Sequence, residues 1–326
     1  MTRIYQLDTI STNEIIDTFV LPAEDSAGVN TRRISFGQLA EYLFNIASQV
    51  DTEDPFGNFS IAIGSGSSVI GSNSTAVGTD NTIGSIGSPA FECVAVGHNN
   101  TASAYYGSFA FGRNNSATEG RATAIGHSNS ATDSDATAVG SDNTASGNES
   151  TAIGSENTAS NYASTAVGYD NSASADYALA VGSKNNASGY KSACVGYDNS
   201  ASDNNAACFG SENTASGDQS TAVGYNNDVV ADNSTAIGYE NNICGGYNAS
   251  AIGYSNAING GGRATAIGAD NSVSGGYNNS AVGIDNSVPG NWGCSAFGYQ
   301  NSADGNWGAV AFGYKNNTTS SQSAAI

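Results

Sequence analysis

Apolar side chains between residues 62 and 313 come singly and on a beat: a small residue, then Val, Ile or Phe, then Gly, eighteen times over. The glycines run from Gly64 and Gly78 through Gly140, Gly154 and Gly168 to Gly298 and Gly313. They lie 14 residues apart through a long central run and 15 apart from Gly238 onward, with early spacings of 19 between Gly78 and Gly97 and 15 between Gly97 and Gly112. A short fixed period marks a supersecondary unit that cannot bury its apolar face alone and has to stack on its neighbours. One repeat, residues 137–150, reads T-A-V-G-S-D-N-T-A-S-G-N-E-S. Two short stretches in it, 137–139 and 144–146, alternate in the period-two sense, and each is followed by Gly or polar turn residues. The pattern predicts an all-β protein, a parallel β-roll or β-solenoid with 14–15-residue coils. Coils stacked at the strand spacing of ~4.8 Å would make a rod roughly 80 Å long.

The residue before each glycine is always Val, Ile or Phe, which fits a side chain pointing into a narrow interior. Two before the glycine stands Ala in sixteen coils and Cys, as Cys194 and Cys208, in the other two. Period two turns these small residues to the opposite face, where uniform smallness suits the close approach of sister chains, so a homotrimeric rod is expected. Asn follows the glycine by three residues in seventeen coils and reads as structural, a turn former whose stacked amides can make a ladder.

Residues 1–56 carry no repeat and form an expected attachment or trimerisation region, followed by the β-roll over 57–316 and a polar C-terminal tail over 317–326. The first region reads as a hairpin and then a helix opened by a capping box, Ser35 with Gln38. Leu39, Leu43, Ile46 and Val50 then fall on a coiled-coil seam that would set trimer register. A lone helix packing that stripe on the hairpin is the alternative.

A formal charge of −20 with nine Lys and Arg speaks against nucleic acid or an anionic membrane surface as partner. No stretch approaches the ~20 apolar residues of a membrane span, and the apolar run at residues 19–21 is too short for a secretory leader. The five Cys read as small buried residues with free thiols, with a Cys194–Cys208 disulfide as the alternative. Both His, His98 and His127, occupy the row just after the repeat glycine. No catalytic arrangement, cofactor site or metal site emerges, and no enzymatic activity is expected. Acidic residues two after the glycine, among them Asp142, Glu156 and Asp170, read as a solvated face, with calcium between them as the lesser alternative.

Aromatic residues supply the candidate receptor contacts. Tyr299 and Tyr314 belong to a row just after the glycine that also holds Tyr169, Tyr197, Tyr225, Tyr239 and Tyr254. Tyr247, Tyr277, Trp292 and Trp307 lie in the lengthened turns of the later coils, the Trp in successive G-N-W-G contexts. Flat rings beside Asn suit a cell-surface glycan; packing over a trimer seam or capping the rod is the competing role.

The A-V-G and A-I-G units of residues 60 to about 315 resemble the head repeats of trimeric autotransporter adhesins, the YadA-like heads. The resemblance implies a left-handed parallel β-roll assembled as a trimer. Those adhesins also carry an export signal, a coiled-coil stalk and a membrane anchor, which are not expected here. T-F-V-L-P-A-E at residues 18–24 and T-R-R-I-S-F-G-Q-L-A-E-Y-L at residues 31–43 resemble the N-terminal attachment region of bacteriophage tail fibres. That second resemblance implies docking to a virion tail, baseplate or other fibre protein. The expectation is a structural virion fibre, assembled in the host cytoplasm, that acts as a rigid spacer and host-receptor adhesin. A bacterial cell-surface adhesin head is the alternative, and an ice-binding solenoid, suggested by Thr three before the glycine at Thr75, Thr123 and Thr137, a third.

Overall fold

The computed structural model describes residues 60–85 and 88–326. The expected hairpin and helix, with Leu39, Leu43, Ile46 and Val50, lie outside the described residues. Each coil contributes one long and one short strand, as in Thr137–Ser141 and Thr144–Ala145. The next coil lies on it in parallel and in register: Ala138 pairs with Ala152, Val139 with Ile153 and Gly140 with Gly154, while Ala145 pairs with Ala159. Repetition of this step builds a 19-stranded sheet of long strands, from Ile61–Ile63 to Ala324–Ala325. The short strands stack into a facing sheet from Ser68–Val69 to Asn317–Thr318. The protein is thus the expected parallel β-solenoid. In the early 19-residue coil the surplus chain carries Ala90–Phe91, which pairs with Gly71–Ser72 in a small sheet of its own.

Two differences from the sequence reading stand out. Residues 317–326 do not leave the roll as a tail, because Asn317 pairs with Ser302 and Ala324 pairs with Val310, adding another turn. The second difference inverts the long strand. Ala138, Ala152 and Ala166 are fully buried, whereas Ile153 is 39% exposed and Phe312 55%. Alternation fixes that the two rows oppose each other, and the width of the coil decides which one goes inside. Two sheets of two- to five-residue strands enclose room for Ala or Cys from the long strand and little more. Larger apolar side chains enter only from the short strands, as Ile83, Val229, Ile243, Ile258, Val273 and Val288. Four of these occupy successive 15-residue coils, where the turn is one residue longer.

At the repeat glycine the coils approach most closely. Gly140 has φ +124°, and a Cβ built there would meet the Gly154 carbonyl oxygen at 1.9 Å. Any side chain would therefore separate the coils. Each coil then turns through residues in the left-handed region, and the acidic row falls on one such corner, with Asp142 at φ 56° and Glu156 at φ 60°.

The Asn row is a buried ladder. Asn157 is fully buried. Its Nδ2 donates to Asn143 Oδ1 at 2.9 Å, to the Ile153 carbonyl at 3.1 Å and to the Gly168 carbonyl of the next coil at 2.7 Å. Its Oδ1 accepts from the main-chain N–H and the Nδ2 of Asn171. One amide thus ties three coils together and satisfies the carbonyl of the glycine at the close approach. The amide-to-amide bonds are sheltered from water, where an unmet partner is costly.

Cys194 and Cys208 face each other across adjacent coils, buried and unoxidised, while Cys244 is exposed. A hydrogen bond from Cys194, reinforced by burial, pushes the Cys208 thiol well above the usual range. A thiol reagent at pH 8 should label Cys244 in the native protein and reach Cys194 and Cys208 only after denaturation, as peptide mass spectrometry would read. Asn157→Ala, which strips partners from Asn171, Ile153 and Gly168, should cost about 2–4 kcal/mol by urea unfolding. It should also speed exchange of the Asn171 amide hydrogen.

Candidate binding surfaces

The first surface is apolar. Because Ala fills the interior, the Val, Ile and Phe before each glycine form a continuous outward row along the long-strand sheet, with Ile125, Phe209, Ile237, Ile252 and Ile267 all exposed. Thr and Ser three before the glycine run alongside on the same face, and Ile61, Val94, Phe109, Leu179 and Val310 replace them in five coils and widen the apolar band. Soluble monomers rarely leave a patch of this extent open.

The second surface is aromatic and occupies two separate edges. The row just after the glycine stacks Tyr225 on Tyr239 at 5.0 Å between ring centroids, and Tyr239 on Tyr254 at 5.3 Å. Ala269 and Ile284 interrupt it before Tyr299 stacks on Tyr314 at 5.5 Å. Neighbouring carboxylates raise the phenol pKa in this row: a hydrogen bond with Glu212 at Tyr225, and the charge of Glu240 at Tyr239. Tyr225 and Tyr239 therefore stay neutral well into alkaline solution.

Tyr247, Tyr277, Trp292 and Trp307 belong to the other edge, at the corner that leads into the long strand. Tyr277 stacks on Trp292 at 4.6 Å, and Trp292 on Trp307 at 5.5 Å with their planes only 9° apart. Tyr247 meets Tyr277 at 6.3 Å and 62°. Gly262 stands between them, and a Cβ there would strike the Tyr247 ring at 2.8 Å, so the missing side chain is what lets that ring lean across the gap. The six aromatic residues singled out from sequence thus form a group of four and a group of two.

The same corner holds aromatics the sequence reading passed over. Tyr162, Tyr177 and Tyr190 make edge-to-face contacts at 5.3 and 6.0 Å, and the Lys191 ammonium lies 5.1 Å from the Tyr190 ring centre. Tyr105 and Tyr106 form a further exposed pair. A signal was available: Tyr106, Tyr162, Tyr190, Tyr247, Trp292 and Trp307 all stand two residues before the small buried residue that opens the long strand.

His98, Arg113 and His127 occupy successive coils of the row after the glycine. Among the described residues, no three His, Cys, Asp or Glu side chains converge to hold a metal ion.

The family described as YadA head domain repeat (2 copies) matches this chain repeatedly. The matches fall at residues 57–81, 94–115, 106–129, 117–143, 131–157, 145–171, 159–185, 209–227, 215–241 and 295–316. No curated protein matches the chain. The matched segments cover more than half of the sequence and fall on coils whose stacking, small interior and repeat glycines have just been described, so the chain belongs to the YadA head domain repeat family.

Proposed function

We propose that this chain is the head of a bacterial surface adhesin: a non-enzymatic, self-associating rod that holds a receptor-contacting surface away from the cell. The observation that carries the reading is the unbroken outward row of Val, Ile and Phe on a chain of YadA-type head repeats. A stripe that continues for the length of the roll, with one branched or aromatic side chain per coil, is matched best by a second and third copy presenting the same stripe in the same register. A homotrimer closes that association around one axis and leaves the turns at the edges free. Three copies then offer every edge residue three times over, which turns weak contacts into firm attachment.

This arrangement reverses the interface expected from sequence, where Ala was to meet the sister chains; Ala is spent in the interior. It also weighs against ice binding, because the Thr row lies on the very face the copies would cover and is broken by Phe109, Leu179 and Ala193. The virion-fibre expectation rested on residues 18–43, outside the described residues, and no comparison supports it.

Sedimentation equilibrium should return three times the 32.7 kDa chain mass. Ile153→Asp combined with Ile237→Asp places two charges on the outward row and should yield a monomer with an unchanged β-sheet circular dichroism spectrum. A wild-type chain that sediments as a monomer at micromolar concentration would refute the assembly.

A further inference from the structure

Resting on the adhesin reading, we infer that the corner ladder Tyr277–Trp292–Trp307 is a binding site for a neutral, linear oligosaccharide lying along the rod. Identical rings translated by one coil are ~4.8 Å apart, yet flat rings touch at ~3.5 Å, so they meet only by tilting. They overlap like shingles, and part of one face of each ring stays open. The exposures agree: Tyr277 is 36% exposed, Trp292 39% and Trp307, at the end of the stack, 58%.

The flank of the ladder is clear as well. The left-handed corner residue that follows the aromatic is Asn248 after Tyr247 and Asn278 after Tyr277, but Gly293 and Gly308 after the two Trp. A Cβ at either glycine would meet nothing within 4 Å, so the indoles border open space. On the other side stand Asn291 and Asn306, joined by a hydrogen bond from Asn291 Nδ2 to Asn306 Oδ1 at 2.9 Å. Among the described residues this leaves Asn291 Oδ1 and Asn306 Nδ2 without partners, one acceptor and one donor beside the rings.

A pyranose has the complementary chemistry. Its C–H face packs on an aromatic face and its rim of hydroxyls both gives and takes hydrogen bonds. The repeating coil offers that pair of contacts more than once along the axis, which suits a chain of sugars better than a single one. Charge narrows the class. The coils of Trp292 and Trp307 carry no Lys or Arg on this corner, Asp304 lies two residues before Asn306, and Arg263 stands in the flank row one coil before Asn278, so a sulfated or carboxylated glycan finds no cation beside the indoles.

The two Trp of the chain are both in the ladder, so tryptophan emission, excited to the red of tyrosine absorption, reports this site. The full chain should be titrated with cellohexaose, mannohexaose and chitohexaose, and with a heparin hexasaccharide as the anionic probe. At least one neutral sugar should give a saturable blue shift, and heparin none. Calorimetry should find Trp307→Ala about tenfold weaker for that sugar, the scale of one lost stacking contact, with Trp307→Phe recovering most of the affinity. Tyr106→Ala, which removes an exposed ring outside the ladder, should bind as the wild type. Absence of any shift with all three neutral sugars, a stronger response to heparin, or unaltered binding by Trp307→Ala would overturn the inference. Sedimentation of the same samples separates the two readings: sugar binding lost from an intact trimer sinks the ladder alone, and a monomer that still binds sinks the assembly alone.

Discussion

The repeat glycine sets how close two turns of this chain can lie, and the remaining features of the roll follow from that approach. With the Gly154 carbonyl oxygen 1.9 Å from where a Gly140 Cβ would be, the main chains are as near as a pleated pair allows at a residue with φ +124°. The carbonyl held there also takes a side-chain donor, Asn143 Nδ2, at 2.8 Å. Glycine and Asn, three residues apart, are therefore one device. The glycine permits the approach and the buried amide bonds the carbonyl oxygen that the approach brings within reach.

Stability in such a coil comes from an unusual balance. An Ala methyl contributes little, since burial is worth ~0.8 kcal/mol per CH₂-sized group, while fixing each residue costs roughly 1–2 kcal/mol. A thin core of Ala cannot meet that cost. What compensates is the density of in-register hydrogen bonds, with both sheets and the Asn ladder repeating at each step. Energy of this kind is shared between neighbours, so a coil is stable by virtue of the ones beside it. The outward aliphatic row is the apolar area the interior had no room for.

Much of this was legible in the letters. Spacing alone gave the coil and the parallel stacking, because each glycine must find its counterpart one period later, but the turn added by residues 317–326 has no repeat glycine to announce it. The ladder was readable from Asn at a single repeat position. What could not be read was which face of the long strand is the inside. Ala138 and Val139 alternate in either arrangement, and ordinary cores, being wide, place the branched residue inward; here a strand of two residues, Thr144–Ala145, closes the coil too tightly for that. The aromatic surface was half legible. Trp292 and Trp307 drew notice as rare residues, but their stacking with Tyr277, and the role of Gly262 in letting Tyr247 lean, depend on which corner of the coil each turn occupies.

The change of period at Gly238 bears on how such a molecule can lengthen or shorten in evolution. Upstream, one whole coil can be lost or duplicated by recombination between near-identical stretches, and every surviving Asn still finds a neighbour at the right distance. Downstream the unit is a residue longer and carries its own corner chemistry, so exchange across the boundary would leave a turn that fits neither block. From Gly112 onward the roll is thus two series, each interchangeable within itself, joined at one seam: the first free to vary the reach of the rod, the second constrained to keep its ringed edge.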